Sequence, residues 1–364
     1  MSLFGPAMAG LFTTIAMMLA LRPMAVRHGL VDSPGGRKAH VGDVPLVGGM
    51  AMFIGMIAGF TLIPAADQRF TYMFLAGAIL LVVGVIDDRR HLSTYTRLGA
   101  QTVAACVMVF GGDLLIADLG NVFGTGTVHL GAGAVVFTVL VSITVINAFN
   151  FIDGIDGLAA CLAGIAIAAV AFAGAALPTS ITATGFVIFG CILGFLLFNF
   201  PTLLNRRVRT FMGDAGSTLL GIVVLWLTIE ISQGEGRAIS PIIGLWFVLI
   251  PLADIFTCFI RRVSKGKSPL QPGRQHLHHI LLRGRLGVRQ VLFVLTGLAA
   301  LYAVIALFAH SLGVPDVVMF GGWVVLMFVQ YPLIKKIALT TRSQCWKRVR
   351  ANALSVANGT ITAD

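Results

Sequence analysis

Unbroken apolar runs alternate with short polar segments along the entire chain. Runs of this kind predict helices, and most approach the roughly 20 residues that span a bilayer core. The pattern places helices at residues 3–21, 46–64, 70–86, 98–111, 132–149, 158–176, 181–199, 214–231, 240–260, 290–309 and 316–334. The predicted fold class is all-α, a polytopic integral membrane bundle of about eleven transmembrane helices. A membrane β-barrel does not fit, because its strands alternate apolar and polar residues over segments of about ten. No basic stretch precedes the first run, so it reads as a transmembrane helix rather than a removable signal. Residues 1–340 are expected to form a single transmembrane domain, and 341–364 a flexible basic tail in the cytoplasm.

Composition agrees with the pattern. The chain is 57% hydrophobic and only 11% charged, against roughly 25% charged in soluble domains. The five cysteines, Cys106, Cys161, Cys191, Cys258 and Cys345, show no pairing or metal-binding spacing, and four sit inside apolar runs. They read as small packing residues. No internal repeat is visible, which weighs against an inverted-repeat transporter.

The net charge of +11 acquires meaning once the helices are threaded alternately. Of the 26 Lys and Arg, all but Arg69 and Arg237 then fall on one side. The positive-inside rule makes that side cytoplasmic, with the N-terminus outside and the C-terminus inside. Basic loops beside anionic lipid explain the charge, and no nucleic-acid partner is implied. The same threading brings Asp87, Asp88, Asp153, Asp156 and Asp214 to the cytoplasmic face, with His276, His278 and His279. A charge at a helix centre would cost about 2.5–3.5 kcal/mol on insertion scales. Acids at the rim avoid that cost and point to a site facing the cytoplasm rather than an ion path.

Four constellations carry candidate chemistry. "GVIDDRRH" ends the third helix with Asp87 and Asp88. Adjacent helical residues point about 100° apart, so the two should have separate partners; a solvated acidic helix end is the plain alternative. "NAFNFIDGIDG" spaces Asn147, Asn150, Asp153 and Asp156 by three. A continuing helix would set the last three on one broad arc, with Asn147 rotating away toward a structural role. The alternative is a polar turn between two spans. "FMGDAGS" places Asp214 and Ser217 at the start of the eighth helix, where free N–H groups suit a phosphate and a carboxylate suits Mg²⁺; an N-cap is the plain reading. "RQHLHH" sets Arg274, His276, His278 and His279 in the longest basic loop. Without a Cys or Glu beside them they suit diphosphate oxygens better than zinc, and a solvated basic loop is the alternative. Weaker signals are Lys38 with Pro45 and Gly48–Gly49 in "GGRKAHVGDVPLVGG", and Asp254, expected to pair with a cation inside the bundle. Acids and cations together on one face suit Mg²⁺-assisted phosphoryl transfer.

These motifs in this order, "VDSPGGRKAHVGDVPLVGG", "DD", "NAFNFIDGIDGL", "FMGDAGSTL" and "SPLQPGRQHLHH", resemble the polyprenyl-phosphate N-acetylhexosamine-1-phosphate transferases over nearly the whole chain. The resemblance implies an enzyme of the bacterial inner membrane working at its cytoplasmic face. It would move N-acetylglucosamine 1-phosphate from a UDP-sugar to undecaprenyl phosphate and release UMP, with Mg²⁺, or alternatively Mn²⁺, as cofactor. A homodimer is a family expectation. By the resemblance, Asp87 and Asp88 would activate the lipid phosphate. Asp153 and Asp156 would be catalytic, lining the nucleotide-sugar and metal site with Asn150. Phe211 would stack on uracil, and Asp214 would ligate the metal. His276, His278, His279 and Arg274 would contact the diphosphate or sugar, and Lys38 a phosphate. The peptidoglycan branch carries a lysine three residues after its acidic pair and three consecutive histidines. Here those places hold His91 and His-Leu-His-His, which argues against its muramyl-pentapeptide substrate. The rival readings are the same chemistry with another UDP-N-acetylhexosamine, a transporter, and a scaffolding membrane protein.

Overall fold

The computed structural model describes residues 4–33, 42–64, 67–177, 179–201, 209–266 and 276–357. Every run expected to be helical contains helix. In order these are α1 (Phe4–Arg27), α2 (Gly48–Phe60), α3 (Arg69–Arg90), α4 (Thr94–Cys106), α5 (Ala134–Ile152), α6 (Leu158–Ala173), α7 (Thr179–Asn199), α8 (Gly213–Ser232), α9 (Pro241–Phe247), α10 (Leu249–Val263), α11 (Leu277–Arg283), α12 (Val288–Ser311) and α13 (Asp316–Ala357). Among the described residues, seven helices are long and apolar enough to cross a membrane, or eight if α9 and α10 count as one bent span. The protein is a polytopic membrane helical bundle. The only sheet among the described residues is a two-residue antiparallel pair, β1 (Val31–Asp32) with β2 (Val44–Pro45).

Two differences from the expected pattern have local causes, and a third is one of length. The fourth helix begins at Thr94, not 98, because the Ser93 hydroxyl accepts the Thr96 N–H and caps it. It ends in a π turn over Val107–Gly111. The ninth run is two helices bent by 80°. Pro251 lacks an N–H and its ring would meet the carbonyl of residue 247, so the helix breaks at Val248. The last helix continues past 340 to Ala357.

Helix α8 is the axis of the bundle. It is apolar on all sides and buried along nearly its whole length, as a central helix should be. Small residues let its neighbours approach. A Cβ on Gly49 of α2 would strike the Gly216 backbone, one on Gly84 of α3 the Ala215 backbone, and one on Gly221 the Ile146 backbone of α5. Such close crossings are how membrane helices gain packing without a hydrophobic driving force. Here they draw the polar ends of α3 and α5 onto the first turn of α8.

Candidate active site

The site is built around that first turn. Gly213 has φ +69, and a Cβ there would collide with Asp88 Oδ2. Glycine is therefore required both for the conformation and for the room. The bare backbone lets the Asp88 carboxylate take the Asp214 N–H at 2.9 Å. The helix N-terminus that suited a phosphate is thus already occupied by Asp88, as the helix dipole favours. Asp88 Oδ2 is buried with no partner among the described residues.

The other members converge from three helices. Asn150, near the end of α5, donates to Asp214 Oδ1 at 2.9 Å and to Ser217 Oγ at 3.0 Å. Asp87, 5% exposed, accepts the Leu92 N–H at 2.6 Å and pairs with Arg97 at 3.2 Å. Arg97 also lies 3.8 Å from Asp214 Oδ2. The two adjacent acids thus have separate partners, as their helical spacing requires. Asn147 instead pairs with Gln101 of α4, donating at 2.7 Å to its Oε1, and so serves the α4–α5 packing. Asp87, Arg97, Asn150 and Asp214 line one cleft, whose apolar side is Leu80 and Val83.

The helical arc does not extend to Asp153 and Asp156. Helix α5 ends at Ile152, Asp153 has a non-helical ψ of 59°, and Gly157 turns the chain with φ +78. Burial, then the charges of Asp214, Asp156 and Asp88, push the Asp153 pKa well above the usual carboxylate range. The Asp156 carboxylate is held by Arg209 through both oxygens, and the Arg209 guanidinium lies 4.9 Å over the Phe211 ring. Asn199 ties this turn to the next strand of chain, accepting the Gly157 N–H at 2.7 Å and donating to Thr210 O at 2.8 Å.

The segment before α2 proves to be a bracket. Leu46 bridges to Phe211, Phe211 N donates to Pro45 O at 2.9 Å, and Gly48 N to Phe211 O at 3.0 Å. This fixes Phe211 and the chain entering Asp214. The histidines close the other side. His278 packs on Gly154, where a Cβ would strike its ring, and both its nitrogens are buried without partners among the described residues. Burial and the neighbouring His279 and His276 hold its pKa well below the usual value. His276 stacks parallel to His278 at 5.9 Å and lies 5.8 Å from Phe151. Lys38 and Arg274 lie outside the described residues.

Two charged residues were not foreseen as site members. Arg97 reads as a loop residue if the fourth helix starts at 98, and Ser93, the cap, was the available signal. Arg209 lies five residues before Asp214 in a basic run, with nothing in the sequence to distinguish it from Arg206 and Arg207.

Asp88, Asp153 and Asp214, which gather at one rim, the first with an orphaned buried oxygen, form a hard-oxygen donor set of the kind a divalent cation takes. Residues 70–232, which hold most of this constellation, match the model of glycosyl transferase family 4. The chain is also similar to proteins called undecaprenyl-phosphate alpha-N-acetylglucosaminyl 1-phosphate transferase. The Escherichia coli K12 protein is 36% identical over 349 residues, covering 94% of each chain. That of Salmonella typhi is 38% identical over 331 residues, covering 90% of this chain and 89% of its own. That of Pasteurella multocida is 36% identical over 355 residues, covering 96% and 97%. The chain belongs to glycosyl transferase family 4. As a family 4 enzyme it is a membrane-embedded transferase, and the rim of α3, α5 and α8 is where its acids gather.

Proposed function

We propose that this enzyme transfers N-acetylglucosamine 1-phosphate from UDP-N-acetylglucosamine to undecaprenyl phosphate, giving undecaprenyl diphosphate-N-acetylglucosamine and UMP. The supporting observation is the junction of Asp88, Asp214 and Asn150. It joins three separate polar motifs at one rim, in a chain similar over most of its length to transferases named for this reaction. In this reading the site faces the cytoplasm at the inner membrane, which the distribution of Lys and Arg supports.

In this reading the acceptor phosphate enters the cleft between α3 and α4. Leu80 and Val83 suit the first isoprene units, and Arg97 suits the phosphate. A phosphate oxygen attacks the β-phosphorus of the UDP-sugar in line. The bond from that phosphorus to the bridging oxygen breaks, and the bridging oxygen leaves with UMP. The acceptor is largely anionic at neutral pH, so Asp87 orients it through Arg97 more than it removes a proton. Asp88, Asp153 and Asp214 would hold Mg²⁺, which offsets charge on the transferring and leaving groups when bound. Nucleotide entry displaces Arg209 from the face of Phe211, freeing the ring for uracil and the guanidinium for the diphosphate.

The test is UMP release by the full-length chain in detergent, with undecaprenyl phosphate and a panel of UDP-sugars. UDP-N-acetylglucosamine should be turned over fastest, and chelation should stop the reaction. Turnover of another UDP-N-acetylhexosamine with none of UDP-N-acetylglucosamine would overturn the choice of donor. A radiolabelled sugar phosphate trapped on the protein without lipid would replace the single displacement by two.

A further inference from the structure

Asp254 is a carboxylate enclosed in the bundle, 1% exposed, three residues after the proline that bends α9 away from α10. Its Oδ1 accepts the Leu277 N–H at 2.6 Å, and its Oδ2 pairs with His276 Nδ1 at 2.8 Å. Cys258, one turn further along α10, places Sγ 3.5 Å from the same nitrogen. The trio has the residue types of a metal site. The geometry is different. Both carboxylate oxygens are already engaged, and 2.8 Å is a direct hydrogen bond that uses the one ring nitrogen a metal would need. The arrangement is a carboxylate–imidazole dyad.

A buried carboxylate on Nδ1 has two consequences. It selects the ring state with a proton on Nδ1, which fixes the plane of the ring and leaves Nε2 at the end away from Asp254. It also favours the charged imidazole. Burial opposes that charge, but the hydrogen bonds with Asp254 and Cys258 and the charge of Asp254 outweigh it, and the His276 pKa is pushed up to about 10. The titratable groups facing His276 are Asp254 and Cys258 from α10 and His278 and His279 from α11, and α5 contributes the Phe151 ring. The same carboxylate anchors the first turn of α11, which carries His278 onto Gly154 beside Asp153.

We propose that Asp254 is a positioning residue. By holding His276 Nδ1 and the start of α11, it aims the His276 Nε2–H at an anionic oxygen of the nucleotide-sugar diphosphate. This rests on the function proposed above and adds a residue to it.

The test uses the full-length protein in lipid nanodiscs, with ring-¹⁵N histidine. The signal removed by His276→Asn should be that of a doubly protonated ring at pH 8 in the wild type, and should become a neutral ring in Asp254→Asn. With UDP-N-acetylglucosamine and undecaprenyl phosphate, Asp254→Asn should raise the donor KM about tenfold with a smaller change in kcat. The double variant should be no worse than His276→Asn alone. Asp254→Glu keeps the carboxylate and should restore most of the loss. It also serves as the test variant if Asp254→Asn does not fold, in which case its KM and ¹⁵N signal should stay near wild type. A neutral His276 in the wild type at pH 8, additive effects in the double variant, or an unchanged donor KM would each overturn the proposal. If the wild type releases no UMP, the functional reading falls, and the ¹⁵N signals still decide the dyad.

Discussion

Gly213 shows how narrowly the site is specified at the residue scale. Any side chain there enters the space of the Asp88 carboxylate and must adopt a left-handed backbone. Gly213→Ala should lower stability by about 1–2 kcal/mol from the backbone alone. It should reduce UMP release far more than Gly297→Ala, where the added Cβ meets nothing; thermal melting and turnover of the two variants check this. Arg209→Ala should raise the donor KM while leaving the acceptor KM near wild type, and Arg209→Lys should recover part of the loss; steady-state kinetics with each substrate varied tests it. Asp153 yields a pH prediction. Its pKa is raised on folding from an ordinary value of 3.8, so its contribution to stability is full below about pH 4 and is lost as the pH rises through the folded value. In chelator, the wild-type melting temperature should therefore fall, relative to Asp153→Asn, as the pH rises toward neutral. Mg²⁺ should reverse that difference if Asp153 belongs to its site. At this scale the sequence was informative about which acids gather at one rim and much less about their partners. Asp87, Asp88, Asn150 and Asp214 do meet at one rim. Yet that Asp88 would cap α8, and that Arg209 would pair with Asp156, depends on contacts between residues more than 50 positions apart, which no local pattern encodes.

At the scale of elements, periodicity located the helices, while their ends depended on single residues. Ser93 moved the start of α4 and so brought Arg97 onto the helix. Pro251 divided a run whose composition gave no hint of an 80° bend. The spacing of three in the opening of the 147–157 segment suggested a helix to Asp156, but the chain turns at Asp153 because Gly154 and Gly157 permit it and His278 needs the room. The Pro45–Gly49 segment read as a weak feature, and its role as the bracket for Phe211 appears only in three dimensions. A prediction follows at this scale. Gly49→Ala places a methyl against the Gly216 backbone, and no flexible side-chain end is there to yield. It should push α2 away from α8, destabilise the bundle by about 1–3 kcal/mol as overpacking does, and lower kcat by misplacing Phe211 and Asp214 together. Gly99→Ala, which meets nothing, is the control.

Over the whole molecule, the two ends of the bundle differ in chemistry. One end gathers Asp87, Asp88, Asp153, Asp156 and Asp214 with Arg97, Arg209 and the histidines. At the other, Arg69 pairs with Asp67 and Glu230, and Arg237 with Asp118. The two basic residues that fall on the minority side are thus both paired with acids there. A cysteine placed at Asn121 should react with a membrane-impermeant maleimide in intact cells, and one placed at Arg285 should react only after permeabilisation. The reverse pattern would invert the proposed topology. The central claim is that a sugar phosphate, rather than a sugar, moves. It is tested most directly by giving the full-length enzyme UDP-N-acetylglucosamine labelled separately at the α- and β-phosphorus, with undecaprenyl phosphate and Mg²⁺. The account predicts that the β label passes into the lipid and the α label leaves as UMP. Recovery of both labels in UDP, with unphosphorylated sugar added to the lipid, would contradict it.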